Sequence, residues 1–387
     1  MEMTIKATPL DRVFPILCIQ DGVTVSKRGE MTIGWEVTLP TLWSVTEDGH
    51  DDMLEALSSA VRMLGPRMIV HRQDIYTKGE YRAERPEGFL ASAYEKHFDG
   101  REHLTHRQYL YLTLAGNDAH ARQVSDTSIF GLSSVDSKQI GKDISLLLSK
   151  ASEFESVLSA RGRYALERLS DEQTAALMDA HLRLHNEDCI YSDLQISGNR
   201  VKSGERCLWA YSISKSGALP SMITPSKRSE LVSGTSSGLH SCTAAAIGPL
   251  LDCEHMVNTY IFTINQHENA REMDGRKRRM TSMQNNAENR VGAEELAEFI
   301  DLSHKENMVC VKAHTNILVW GDESQEQALR GKVSSALAGM SIICVQDTFS
   351  TPLLWVSAFP GAAGEISSDN LMTRELKSFL CLGVNET

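Results

Sequence analysis

The sequence predicts an α+β fold: two mixed or antiparallel sheet modules with helices packed on one side, joined by a helical arm. Residues 308–320 carry the clearest strand signal. There Val309, Val311, Ala313, Thr315, Ile317 and Val319 point one way while Lys312, His314 and Asn316 point the other, so one face is covered and the other wetter. Asp322 and Gln325 then have the spacing of a capping box. They open a helix whose Leu329, Val333, Ala336, Leu337 and Met340 share a face and would cover that strand. Residues 134–161 give the clearest helix, because Ile140, Ile144, Leu147, Leu148, Ala151, Phe154 and Leu158 keep steps of three and four. The expected divisions are a first module over 11–133, the arm over 134–187, a second module over 188–365, and a linker or helix over 366–387.

Taken in order, 11–19 reads as an edge strand interrupted by Pro15. Residues 23–27 and 31–39 flank Arg28-Gly29-Glu30 as a hairpin, with Met31, Ile33, Trp35, Val37 and Leu39 lining one face. Residues 51–64 form an amphipathic helix, 67–74 a strand, 89–98 a helix and 107–114 a strand. Strand, helix and strand recurring in this way fit a sheet with helices on one side. Ser170 and Gln173 cap a second helix of the arm, which ends near Leu184. Beyond 188 the composition shifts to Ser, Gly, Lys and Thr, with short strands around 194–201 and at 207–213 and a long loop from 215 to about 238. Residues 239–251 fit a strand or a helix equally. Residues 256–264 alternate as a strand, and 341–345 supply another after the capped helix. Residues 266–289 read as one long, predominantly polar helix, with 294–303 as a shorter helix after it. Helices this wet bridge solvent or face a partner. Residues 360–364 form a Pro-Gly loop, and 371–382 begin a last apolar helix.

A chain of 387 residues has material for two or more domains with real cores. Its net charge of -12 lacks the basic balance of nucleic-acid binders and weighs against that partner class. The first residues lack the cationic run and apolar core of a signal peptide. No apolar run approaches the roughly 18–20 residues that cross a bilayer. The eight cysteines are scattered singly without a CxxC pair, which suits a reducing compartment, with the cytoplasm as default.

The chemical motifs are few. Gly234-Thr235-Ser236-Ser237-Gly238 matches G-x-S-x-G, so a serine hydrolase using Ser236 is the alternative reading. That motif needs a buried strand before it, and 227–233 are too polar to supply one; a flexible Ser/Gly loop fits better. His181 and His185 lie one helical turn apart, a metal-ligand spacing, but Met178 and Leu182 share their face and HExxH is absent. They read instead as half-buried, hydrogen-bonded histidines, and no metal or cofactor is assigned. The phosphate cradle G-x-x-x-x-G-K-[ST] does not occur: Gly331-Lys332 is followed by Val333, with Glu326 where the first glycine belongs. Arg276, Lys277, Arg278 and Arg279 form the basic cluster, on the wet helix. They are read as a partner surface, or else as a solvated face paired with Glu268, Glu272, Asp274 and Glu288.

Several blocks in fixed order resemble the amino-terminal region of the conjugative-transposon TraG family, within the type IV secretion and conjugation ATPases. They are Phe14-Pro15-Ile16-Leu17 with Val25-Ser26-Lys27-Arg28-Gly29, then Ile69-Val70-His71-Arg72-Gln73-Asp74. Tyr94-Glu95-Lys96-His97-Phe98 follows, leading into Tyr109-Leu110-Tyr111-Leu112-Thr113. The last are 254–262 (EHMVNTYIF), His314-Thr315-Asn316-Ile317-Leu318-Val319-Trp320 and Phe359-Pro360-Gly361-Ala362-Ala363-Gly364. The likeness runs from about residue 11 to the end and is thinnest between 116 and 250. It implies an α/β amino-terminal domain that family members couple to a RecA-like ATPase domain at the cytoplasmic base of the channel. On this resemblance the motor would begin just after Leu382, and no ATP-binding residue can be carried over. The implied partners are inner-membrane channel components, the ATPase motor domain and further copies of the chain. The expected location is the cytoplasm, peripheral to the inner membrane through those partners.

Overall fold

The computed structural model describes residues 9–40, 47–83, 87–116, 137–160, 164–186, 193–213, 247–248, 251–283, 287–305, 308–339, 342–366 and 371–376. The fold is α+β. A short helix α1 (Leu10–Val13) leads into β1 (Ile16–Gln20), β2 (Val23–Ser26) and β3 (Met31–Thr38), then α2 (Glu47–Leu64) and β4 (Met68–Glu80). Next come α3 (Phe89–Phe98), β5 (Glu102–Leu114), α4 (Ser137–Ser159), β6 (Ala165–Arg168) and α5 (Asp171–Leu182). The second half brings β7 (Leu194–Ser197), β8 (Arg200–Ser203), β9 (Arg206–Ile213) and β10 (His255–Thr263). Helices α6 (Gln266–Ser282) and α7 (Ala287–Lys305) precede β11 (Cys310–Asp322). The chain continues with α8 (Glu326–Gly339), β12 (Val345–Gln346), α9 (Thr351–Ser357) and β13 (Met372–Glu375).

The strands of both halves join one sheet, in the order β1-β2-β3-β5-β4-β10-β11-β9-β8-β7. The seam is β4, which pairs with β5 from Met68↔Leu114 to Glu80↔Glu102 and with β10 on its other edge, Val257 opposite Asp74. The expected pair of sheets is therefore continuous through this seam. Short strands fill edges that longer neighbours leave free. β2 covers only the start of β3, so β6 pairs with Trp35–Thr38. β9 covers only the second half of β11, so β13 pairs with its first half, Cys310↔Glu375 to Ala313↔Met372. That free ladder draws 372–375 into a strand where a terminal helix was expected.

Period-two alternation gives the sheet two apolar faces, and helices cover both, not one. On one face Ile33, Trp35, Val37, Leu110, Leu112 and Val70 lie under α2 and α4. Farther along the same face Trp209, Val257, Ile317 and Val319 lie under Leu329, Val333 and Leu337 of α8. The opposite face carries Tyr109, Tyr111, Met256, Tyr260, Leu318 and Trp320 beneath α5, α9 and the segment Phe359 to Ala363. The first helix of the expected arm packs on the sheet. α4 buries Leu147, Ala151, Phe154 and Leu158 on the first half of the sheet, and each of the two leucines and the phenylalanine contributes about 1.5–3 kcal/mol. The capping boxes form as read: Ser170 Oγ accepts from Gln173 N–H at 3.2 Å, and Gln325 Oε1 accepts from Asp322 N–H at 3.1 Å. The expected strand over 341–345 is reduced to β12, which pairs with β9.

The Pro-Gly segment is buried and latched to the β2–β3 turn. Arg28 Nη1 donates to Gly364 O at 2.8 Å, and a Cβ on Gly364 would sit 1.9 Å from Glu30 Oε1, so any other residue there must displace the Glu30 carboxylate. Glu30 is 6% exposed and its Oε2 has no hydrogen-bond partner among the described residues. Burial pushes its pKa up to about 7, opposed by Arg28 and helped by Glu365. The folded chain therefore holds this proton up to about pH 7, while the unfolded chain releases it near 4.5, so this group costs stability as pH rises between those values. Glu30→Gln should remove that pH dependence and raise stability at pH 8 by about 3 kcal/mol. Urea midpoints of both proteins at pH 5 and pH 8 check it; equal midpoints at pH 8 contradict it.

Candidate docking surface

The wet segment leaves the sheet where β10 ends. Asn265 caps α6, its side chain accepting from His267 N–H at 3.1 Å and Glu268 N–H at 3.5 Å. Gln266 then clamps the helix to the start of β11: its Nε2 donates to Cys310 O at 2.8 Å and its Oε1 accepts from Cys310 N–H at 3.0 Å. The expected single helix over 266–289 ends at Met283, and α7 starts at Ala287 and returns to the sheet. Gln284-Asn285-Asn286 lies between them, and its two asparagines are weak helix formers. The result is a helical hairpin.

Its interior is thin. Met273, Met280, Leu296, Phe299 and Ile300 are half-buried, and Gly292 lets Met280 approach closely, its Cβ position lying 3.4 Å from Met280 Cε. The one buried side chain of α6 is Asn269, and among the described side chains of α7 it is Ala293. The predicted cluster sits on the outside: Arg276, Arg278 and Arg279 are exposed and Lys277 is half-buried. Among the described residues none of these four forms an ion pair; the Glu288 side chain of the expected pairing lies outside those described. Glu272 instead faces Lys312, which lies 3.9 Å away on β11.

At the opposite end of the sheet the β4–β5 ribbon carries α3 at its tip. No residue of α3 is buried, and Phe89 and Leu90 are 86% and 81% exposed. Sequence reasoning identified this helix but not its exposure, because Phe89, Leu90 and Tyr94 look like core residues in composition. A cleft of about 330 Å³ lies between the end of α5 and the sheet, lined by Lys78, Arg107, Arg183, Arg206, His185 and Glu254 among others. Its cations are committed already: Lys78 to Glu102 at 3.2 Å, Arg107 to Glu36 at 3.0 Å, Arg206 to Glu254 at 3.2 Å and Arg183 to Asp179.

His181 lies on α5, but His185 falls beyond the helix end at Leu182, in a turn where its φ is 54°, so the two do not share one helix face as the spacing predicts. His181 is buried, its Nε2 donates to Trp355 O at 2.9 Å, and its ring packs edge-on against Phe359. The His185 ring stacks on Trp320. Among the described residues no group of three His, Cys, Asp or Glu could hold a metal ion. Ser236 and its G-x-S-x-G segment lie outside the described residues. Among the described residues no helix is long and apolar enough to cross a membrane.

Residues 3–54 match a family model described as a domain of unknown function, "B. Theta Gene description" (DUF3875). Within the described residues that stretch contains β1, β2, β3 and the start of α2, at the first edge of the sheet. No curated protein matches the chain.

Proposed function

We propose that this chain is a docking and assembly domain of a conjugation ATPase of the TraG kind, binding channel components and neighbouring subunits in support of DNA transfer. The observation that carries this reading is the α6–α7 hairpin. It is clamped to the sheet at its base by Gln266, has one fully buried side chain on each helix among the described residues, and carries a largely exposed cationic cluster that forms no ion pair among them. A helix pair with so few fully buried side chains has its outer apolar and charged faces available to a neighbour. The resemblance blocks in β4, β10 and β11 belong to the sheet core, consistent with a scaffold that holds such a surface rigidly. On this reading the chain works at the cytoplasmic side of the inner membrane, attached through its partners. ATP is turned over by a motor domain and not by these residues.

Reversing the cluster in the variant R276E/K277E/R278E/R279E should lower recovery of inner-membrane channel proteins in a pull-down by about tenfold, since surface charge sets encounter and register. The thermal midpoint should stay put, because the exposed cluster supports no core. Undiminished recovery removes the hairpin as the docking surface. Steady ATP hydrolysis by the purified chain would overturn the non-catalytic assignment.

A further inference from the structure

The two helices of the hairpin carry matching stripes of opposite charge. On α6 and its C-cap, Glu272, Arg276, Arg279 and Met283 follow one another at steps of four, three and four. On α7, Val291, Glu295, Glu298 and Leu302 do the same. Residues at that spacing share one helix face. All eight side chains are exposed, the apolar Met283 by 64%, Val291 by 48% and Leu302 by 40%. Run antiparallel, the stripes place Met283 opposite Val291, Arg279 opposite Glu295 and Arg276 opposite Glu298.

Among the described residues of one chain only Glu272 of these charges is engaged, by Lys312 at 3.9 Å. The hairpin turns its inner stripe, Met273, Met280, Leu296 and Ile300, toward its own interior, and Arg276 and Arg279 make no ion pair among the described residues. We propose that the hairpin pairs with the same hairpin of a second copy of this chain. The copies stand side by side about a two-fold axis along the hairpin, with α6 of each against α7 of the other. A two-fold arrangement satisfies both stripes at once, because each contact is repeated by symmetry. The flanking charges agree: Arg278 lies beside the basic stripe, and Glu294 and Asp301 beside the acidic one, all exposed. The basic residues of α7 are Arg290 near its start and His304 and Lys305 in its last turn, outside the Glu295–Glu298 middle. The apolar contact of Met283 with Val291 at the tip, beside a charged middle, sets register, as core and flanking positions do in coiled coils, while Leu302 at the other end falls opposite Glu272.

This inference rests on the reading of the hairpin as a docking surface and names one of its occupants. The test is sedimentation equilibrium of the whole chain, alone. Wild type should reach twice the monomer mass, with association weakening about tenfold or more between 50 mM and 500 mM salt. R276E/R279E and E295K/E298K should each sediment as monomers with unchanged circular dichroism. An equimolar mixture of the two variants should regain the dimer, because each supplies the charge the other now needs. A monomeric wild type up to about 100 μM, variants that still dimerise, or a mixture that stays monomeric would each overturn the pairing. The E295K/E298K chain keeps Arg276 to Arg279, so it should still retain channel proteins in the pull-down. A monomeric wild type that still retained them would sink the pairing alone.

Discussion

Lowering the pH from 7 to 4.5 should unfold this protein, with stability falling by about 4 kcal/mol per pH unit through most of that range. The cause is a set of imidazoles enclosed without charge. His71, His181 and His255 have their pKa lowered from 6.5 to about 4, and His185 to about 3, each chiefly by desolvation. Their neighbours suit neutral rings. His71 Nε2 lies 3.0 Å from Asn258 Oδ1 with Tyr260 stacked on the ring, and His255 Nδ1 donates to Cys253 O at 2.6 Å against Tyr76. A folded pKa below the unfolded one means that the unfolded chain binds the extra proton. Stability is therefore complete above about pH 6.5 and is lost as pH falls toward the folded values. Each such group contributes at most about 1.4 kcal/mol per pH unit, so the four together approach about 5. Glu30 acts in the opposite sense between 7 and 4.5 and offsets one proton, leaving about 4. A domain holds only about 5–15 kcal/mol in all, so the histidines win. Chemical denaturation at half-unit pH steps reads the slope directly. His71→Gln should reduce it by about one proton's share, and a flat profile between pH 7 and 5 would contradict the assignment.

What the sequence revealed follows from which forces are local. Strand alternation is local, so Met31, Ile33, Trp35 and Val37 could be placed on one face, and all four are buried. Capping boxes are local too, and those at Ser170 and Asp322 form. Which edges meet is not local. β4 and β10 both read as strands, yet nothing in either says that they pair, because antiparallel ladders are joined by backbone groups every residue carries. The same blindness made 137–159 look like an arm: its apolar stripe announces that something is covered but not what. At the candidate surface the basic cluster was visible as composition. The break at Met283, which turns a long helix into a hairpin and brings two charged stripes side by side, was not.

Replacing Asp74 with alanine should cost about 3–5 kcal/mol, the largest loss expected from a single substitution here. Asp74 is 2% exposed in the middle of β4. Its carboxylate lies 2.7 Å from Arg72 Nε and 3.0 Å from His106 Nε2, and accepts from Gln108 Nε2 at 2.6 Å. Burial by itself would raise its pKa; Arg72 and His106 reverse that and hold it down to about 2. Alanine removes the nearest carboxylate from Arg72, whose side chain is only 8% exposed and cannot turn to water without opening the sheet. Losing one member of a buried pair costs more than the pair is worth, because the desolvated charge stays behind. The double variant Asp74→Leu with Arg72→Leu should therefore recover much of the loss, although each single change destabilises. Because β4 carries both β5 and β10, the damage should appear as one cooperative loss of the whole sheet. Urea midpoints of the two single variants and the double decide it. A loss below about 1 kcal/mol for Asp74→Ala would mean that Arg72 finds another partner once the carboxylate is gone.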